Sequence, residues 1–191
     1  MTGFERALDV AEAMTHLERR RFLPETRRAQ AGEDHPVPIG HNQTCSQPST
    51  VATMLRLLQV PVGSRVLDVG SGSGWTTALL ARLVGPTGAV LGRELEPEIA
   101  DWGATNLAGW ALRWARIELA TPGVLGREVD GGWPRILVSA AAREMPDELL
   151  DQLADGGRMV LPVRSTLWLV ERHGLHLKFT DEGSYAFVPL R

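Results

Sequence analysis

The chain is poor in several things that would direct its function elsewhere. It has one cysteine, Cys45, so no internal disulfide can form and a reducing compartment is expected. Lysine also occurs once, at Lys178, so the other nineteen of its 20 basic Lys and Arg residues are arginine and no Gly-Lys-Ser/Thr phosphate loop exists. No apolar run reaches the ~18 residues of a membrane span, and Met1 to Arg21 is charged throughout, so neither a spanning helix nor a secretory leader is expected. A basic surplus is missing too: the net charge of -3 and pI near 6.0 argue against a nucleic-acid partner. The five histidines have no metal-ligand spacing, since His173 and His176 fall in an expected strand where side chains three apart point to opposite faces. These absences leave a cytoplasmic protein with no metal, nucleic acid or membrane as the expectation, and a monomer is expected without a sequence feature to argue it.

What is present is enough apolar residue, 43% of 191, to bury one core. We expect one domain over 1–191, with 1–60 a helical arm and substrate-side segment and 61–191 the core. Phe4, Leu8, Ala11, Met14 and Leu17 keep a helical period over Phe4 to Arg20. Arg21 to Asn42 reads as an irregular arm, and Ser46 to Leu58 as a helix with Ser46 its candidate N-cap and Pro48 in the tolerant first turn. Arg19, Arg20, Arg21, Arg27 and Arg28 form either a solvated helix end and loop or a funnel for carboxylate-bearing substrates.

From Arg65 onward strands and helices alternate. Strands are expected over Arg65 to Val69, Ala89 to Glu94, Ala115 to Leu119, Arg135 to Ala140, Gly157 to Val163, Leu167 to Arg172 and Tyr185 to Leu190. Helices fit Trp75 to Leu83, Pro97 to Leu107 and Pro146 to Leu153, the last closed by Gly156 and Gly157. The pattern implies an α/β fold: a mostly parallel, doubly wound, Rossmann-like sheet with an antiparallel C-terminal strand.

The richest segment is Val66-Leu67-Asp68-Val69-Gly70-Ser71-Gly72-Ser73-Gly74, where a buried strand stops at glycines against which a ligand can lie. The next strand delivers Glu94, a carboxylate suited to ribose hydroxyls. Trp75 takes the place of the third glycine of a dinucleotide fingerprint, and Asp68 disfavours phosphate while suiting an ammonium and a sulfonium. The ligand that fits is S-adenosylmethionine. A structural glycine turn in some other α/β protein is the plainer alternative.

A second set of motifs narrows this. Pro36-Val37-Pro38-Ile39-Gly40-His41-Asn42-Gln43-Thr44-Cys45-Ser46-Gln47-Pro48, the arm Arg21-Phe22-Leu23-Pro24, the block Ile136 to Pro146, Leu161-Pro162-Val163 and the ending Phe187-Val188-Pro189-Leu190 resemble the protein-L-isoaspartate O-methyltransferases, in order along nearly the whole chain. The resemblance implies methyl transfer from S-adenosylmethionine to the α-carboxylate of isoaspartyl residues in damaged proteins or peptides. It implies Ser46 as the active-site serine, and Gln43, Thr44, Cys45, Asp68, Gly70, Ser71, Gly72, Ser73, Glu94 and Gly123 as cofactor-side residues. Cys45 is read as a small packing residue and Trp75 as a wall of the cofactor site; the other tryptophans are read as core or interface packing. The family's Gly-Asp-Gly after the third strand is replaced by Thr121-Pro122-Gly123, which removes an acid from the adenine side. Pro134 stands where the family has aspartate. A methyltransferase for a carboxylate of a dedicated peptide, or a non-catalytic cofactor-binding module, are the alternatives.

Overall fold

The computed structural model describes residues 9–191. Helix α1 (Val10–His16) begins where Asp9 accepts the Glu12 N–H at 2.7 Å, so the chain carries its own N-cap. The expected helix thus ends at His16 rather than Arg20, and Phe4 and Leu8 lie outside the described residues. Two 3-10 stretches, Arg19–Phe22 and Glu25–Gly32, lead to a hairpin of β1 (Val37–Gly40) and β2 (Gln43–Cys45). Arg21 to Asn42 is thus ordered rather than irregular.

Helix α2 (Pro48–Leu58) then precedes the sheet. Its N-cap is Gln47, not Ser46, and Asp34 supplies the capping carboxylate by accepting the Ser49 N–H at 2.9 Å. The core strands are β3 (Arg65–Val69), β4 (Ala89–Glu94), β5 (Ala115–Leu119), β6 (Trp133–Val138), β7 (Leu153–Val163), β8 (Thr166–His173) and β9 (His176–Ser184). They join in the order β5-β4-β3-β6-β7-β8-β9, and β8 alone runs against the others. Between β3 and β4 lies α3 (Trp75–Val84), between β4 and β5 lies α4 (Pro97–Ala108), and a five-residue α5 (Asp147–Asp151) precedes β7.

Strand alternation divides the core in two. Val66, Val90, Leu137 and Val160 face α1 to α4, whereas Leu67, Leu91, Ile136 and Met159 face α5 and the long 120–132 connection. Helices cover both faces, very unequally. Strands β3, β4, β6 and the second half of β7 are largely buried on both sides and so read as apolar runs, whereas the edge strand β5 is only partly buried.

Three expectations are corrected. The last strand is His176–Ser184, while Tyr185 to Leu190 is a tail tied on by Tyr185 N–H to Ser165 O and by an isolated bridge at Ala141, whose N–H donates to Val188 O and whose O accepts from Leu190 N–H, each 2.8 Å. His173 and His176 do not face opposite ways along one strand; they pair directly across the β8–β9 hairpin around Gly174 and Leu175. Helix α5 ends at Asp151 because the chain enters β7 at Leu153, where Trp133↔Leu153 and Arg135↔Arg158 leave a bulge holding Gly156 and Gly157. Pro134, which has no N–H to give, sits at that irregularity. Among the described residues no helix is long and apolar enough to cross a membrane.

Candidate functional site

Register brings the site together. Val69 lies opposite Arg93 on one side and Val138 on the other, so Gly70, Glu94 and Ser139 emerge level at the carboxyl edge of three parallel strands. Successive connections leave β3 toward β4 and return to β6, so this is the switch point at which open α/β sheets hold ligands.

The glycine turn is built by close approach. Gly70 and Ser71 donate to Arg93 O at 2.8 and 3.1 Å. Gly74 adopts φ +89°, and a Cβ there would meet Gly103 O of α4 at 2.8 Å. Beneath the turn, Asp68 is 0% exposed and its Oδ2 accepts from Thr76 Oγ1 at 2.8 Å and Thr77 Oγ1 at 2.6 Å, while Oδ1 has no partner. Burial pushes its carboxyl up to about 6, against the two threonine bonds, with Glu94 adding to the rise.

Glu94 is 6% exposed and locked by backbone donors: Gly72 N–H to Oε2 at 2.8 Å, Leu95 and Glu96 N–H to Oε1 at 2.8 and 3.0 Å. A carboxylate accepts in about four directions, so Oε2, with one partner, keeps room for a hydroxyl. Beside it Arg93 donates to Glu118 Oε2 at 3.1 Å, within a cluster completed by Arg116 and Arg127. The hydrogen bond from Arg116 holds the Glu118 carboxyl below its ordinary range, and the arginine charges add to this against burial.

Two cavities meet at this edge. The larger, about 700 Å³, is lined by Gln43, Thr44, Gly70, Gly72, Glu94 and Gly123 among the expected residues. The smaller, about 370 Å³, contains Ser46. Thr44, Ser139 and Val188 line both, so the two spaces share a wall. The small cavity is rich in hydroxyls, six from Ser or Thr and one from Tyr185, and among the described residues no Lys, Arg, His, Asp or Glu lines it.

The structure separates the remaining expected residues. Cys45, Asp68, Ser71 and Ser73 are buried behind the large cleft and do not line it. The Cys45 thiol is pushed up by burial, which keeps it neutral and suits a packing role. Trp75 is not a cofactor wall; it is 3% exposed in the core and its Nε1 donates to Leu17 O at 3.0 Å.

Sequence reasoning missed the segment from Ala142 to Glu148 and the tail from Val188 to Arg191 as cleft walls. Their motifs are visible, but the apolar residues of the tail meet a cavity rather than a strand, and the charges of 143–148 give no sign in sequence of which face they take. In the loop after β5, Thr121 and Gly123 line the cleft and Pro122 does not; Glu144, Asp147 and Glu148 supply carboxylates from another wall.

Comparison with known proteins agrees with this geometry. The sequence model of the protein-L-isoaspartate(D-aspartate) O-methyltransferases matches residues 1–191. Protein-L-isoaspartate O-methyltransferases of Methanopyrus kandleri and Methanocella arvoryzae are 42% and 41% identical, over 98% and 93% of this chain and 85% and 95% of theirs. One from Anaeromyxobacter dehalogenans is 46% identical over 95% of this chain and 88% of its own. A solved protein-L-isoaspartate O-methyltransferase superposes with TM-score 0.86 at 23% identity, over 95% of this chain and 61% of that one. A Plasmodium falciparum protein in complex with S-adenosyl-L-homocysteine superposes with TM-score 0.83 at 26% identity, over 99% and 93%. The chain belongs to the protein-L-isoaspartate(D-aspartate) O-methyltransferase family of S-adenosylmethionine-dependent enzymes.

Proposed function

We propose that the chain methylates the α-carboxylate of isoaspartyl residues in damaged proteins or peptides, with the cofactor in the larger cleft and the acceptor in the cavity of Ser46. The observation that carries this is the shared wall of Thr44, Ser139 and Val188, which sets two differently built cavities side by side. Glu94 fits a ribose, having an open acceptor direction on Oε2, and the turn at Gly70 and Gly72 presents backbone without side chains. Gln43, Thr44 and Gly123 complete the cofactor side, while Cys45, Asp68, Ser71 and Ser73 support the turn and hairpin from behind. S-adenosylmethionine, when bound there, supplies an electrophilic methyl group.

The acceptor side needs no general base. A carboxylate with a reference pKa near 4 is already ionised at neutral pH. What the cavity offers instead is orientation and removal of water. Neutral hydroxyls suit this, because a bidentate arginine would bind both oxygens strongly and hold back the charge that must attack. Ser46 stands in that lining and orients the carboxylate.

The test offers S-adenosylmethionine with a labelled methyl group to an isoaspartyl peptide and to its aspartyl twin. Label in the isoaspartyl peptide alone is expected. Label in the aspartyl peptide, or in neither despite measurable cofactor binding, would overturn the assignment.

A further inference from the structure

We propose that Arg19 is a positioning residue for methyl transfer: its buried guanidinium, together with Asp34, clamps the short link that carries Ser46. The inference rests on the reading of Ser46 as the group that orients the acceptor carboxylate.

The link needs a clamp because regular structure does not fix it. Strand β2 ends at Cys45 and α2 starts at Pro48, leaving Ser46 and Gln47 between them. Pro48 has no N–H, and the bond that the helix itself gives the link is from Val51 N–H to Gln47 O at 3.0 Å. Gln43, Thr44 and Cys45 lie in the hairpin ladder of β1 and β2, which stops one residue short of Ser46. The cofactor-side residues are therefore held independently of the acceptor-side serine.

Arg19 supplies what the link lacks. It is 5% exposed, although the other arginines of its cluster are exposed, and its guanidinium lies 5.7 Å from the centroid of the Trp75 ring. Nη2 donates to Cys45 O at 3.0 Å and His35 O at 2.7 Å, and Nη1 to Glu33 O at 3.0 Å. The first bond grips the residue preceding Ser46. The other two bracket Asp34, whose Oδ2 accepts from Gln47 Nε2 at 3.1 Å and whose Oδ1 accepts the Ser49 N–H. Ser46 is thus pinned on both flanks, by Arg19 directly before it and by Asp34 just after it. The Ser49 N–H holds the Asp34 carboxyl below its ordinary range, so the cap stays anionic well into mild acid.

One planar fork satisfies three carbonyls from two separate segments. A lysine ammonium is a single point on a flexible stem and cannot reproduce that spread, so Arg19→Lys keeps the charge and loosens the clamp.

The experiment is a double-mutant cycle on purified full-length protein: wild type, Arg19→Lys, Ser46→Ala and the double variant. It reads kcat with an isoaspartyl peptide, S-adenosylhomocysteine affinity by calorimetry, and Tm. Arg19→Lys is expected to lower kcat by about ten- to a hundred-fold, the scale of a small misplacement, with cofactor affinity changed less than about two-fold. In the Ser46→Ala background the same change is expected to cost kcat almost nothing, because no hydroxyl remains to be misplaced. Should Arg19→Lys fail to fold, Asp34→Ala, at an exposed residue, carries the same cycle. Equal losses in both backgrounds, or no loss in Arg19→Lys, would overturn the clamp while leaving Ser46 its role. An unchanged kcat in Ser46→Ala would overturn the reading of Ser46 and the inference with it.

Discussion

Asp68 sits without solvent under the glycine turn, and its carboxyl is raised to about 6 from an ordinary 3.8. Between those values the folded protein binds a proton that the unfolded chain has released. Stability therefore falls as pH rises through that window, by about 3 kcal/mol at most. Asp68→Asn keeps an oxygen for Thr76 and Thr77 and has no charge to bury. Thermal unfolding from pH 4 to 7 should show wild type losing stability that the variant keeps. Parallel melting profiles would contradict the raised carboxyl. At Glu94 three backbone N–H groups converge on the two carboxylate oxygens. Glu94→Gln turns an NH2 toward at least one of them, so cofactor affinity should fall about ten- to a hundred-fold by calorimetry. Both residues are legible in the sequence as the acid before the glycines and the acid ending the next strand. Arg19 is not, because its partners are carbonyls 14, 16 and 26 residues away and carbonyls leave no residue-type pattern.

Elements buried on both faces are the easiest to read from sequence. Strands β3 and β4 have the expected bounds, since each is bounded by turn residues and enclosed in the sheet; β5 has them too, although it is an edge strand with no fully buried residue. Strand β9 escapes notice because it is an edge with polar residues on both faces, and its neighbour, the apolar tail, mimics a strand. Helix α4 shows a constraint that its propensity conceals. Replacing a helical glycine by alanine ordinarily gains about 1 kcal/mol. At Gly103, however, a Cβ would lie 2.5 Å from Gly72 O, the backbone of the cofactor turn. Overpacking of this kind costs about 1 to 3 kcal/mol, so clash outweighs propensity. Gly103→Ala should lower Tm and weaken cofactor binding together; a higher Tm with intact binding would show that α4 can yield.

At the scale of the whole molecule, the candidate site is assembled from both ends of the chain around one sheet. The N-terminal segment brings Arg19, Asp34 and the Ser46 link, the sheet brings Gly70, Glu94 and Ser139, and the C-terminal tail closes both cavities through Val188. Because the tail is joined through isolated bonds rather than a ladder, deleting residues 185–191 should leave the sheet folded by circular dichroism while methyl transfer is lost. Loss of the fold would show that the tail is part of the core instead. The order of motifs along the sequence reveals the fold and the cofactor, whereas the meeting of the two cavities depends on strand register and on that tail, which no local pattern encodes. The most direct measurement is a crystal structure with S-adenosylhomocysteine and an isoaspartyl peptide bound. The account predicts ribose hydroxyls on Glu94 and the peptide α-carboxylate within hydrogen-bond reach of Ser46, across the wall of Thr44, Ser139 and Val188. A carboxylate seated away from Ser46, or a ribose away from Glu94, would contradict it.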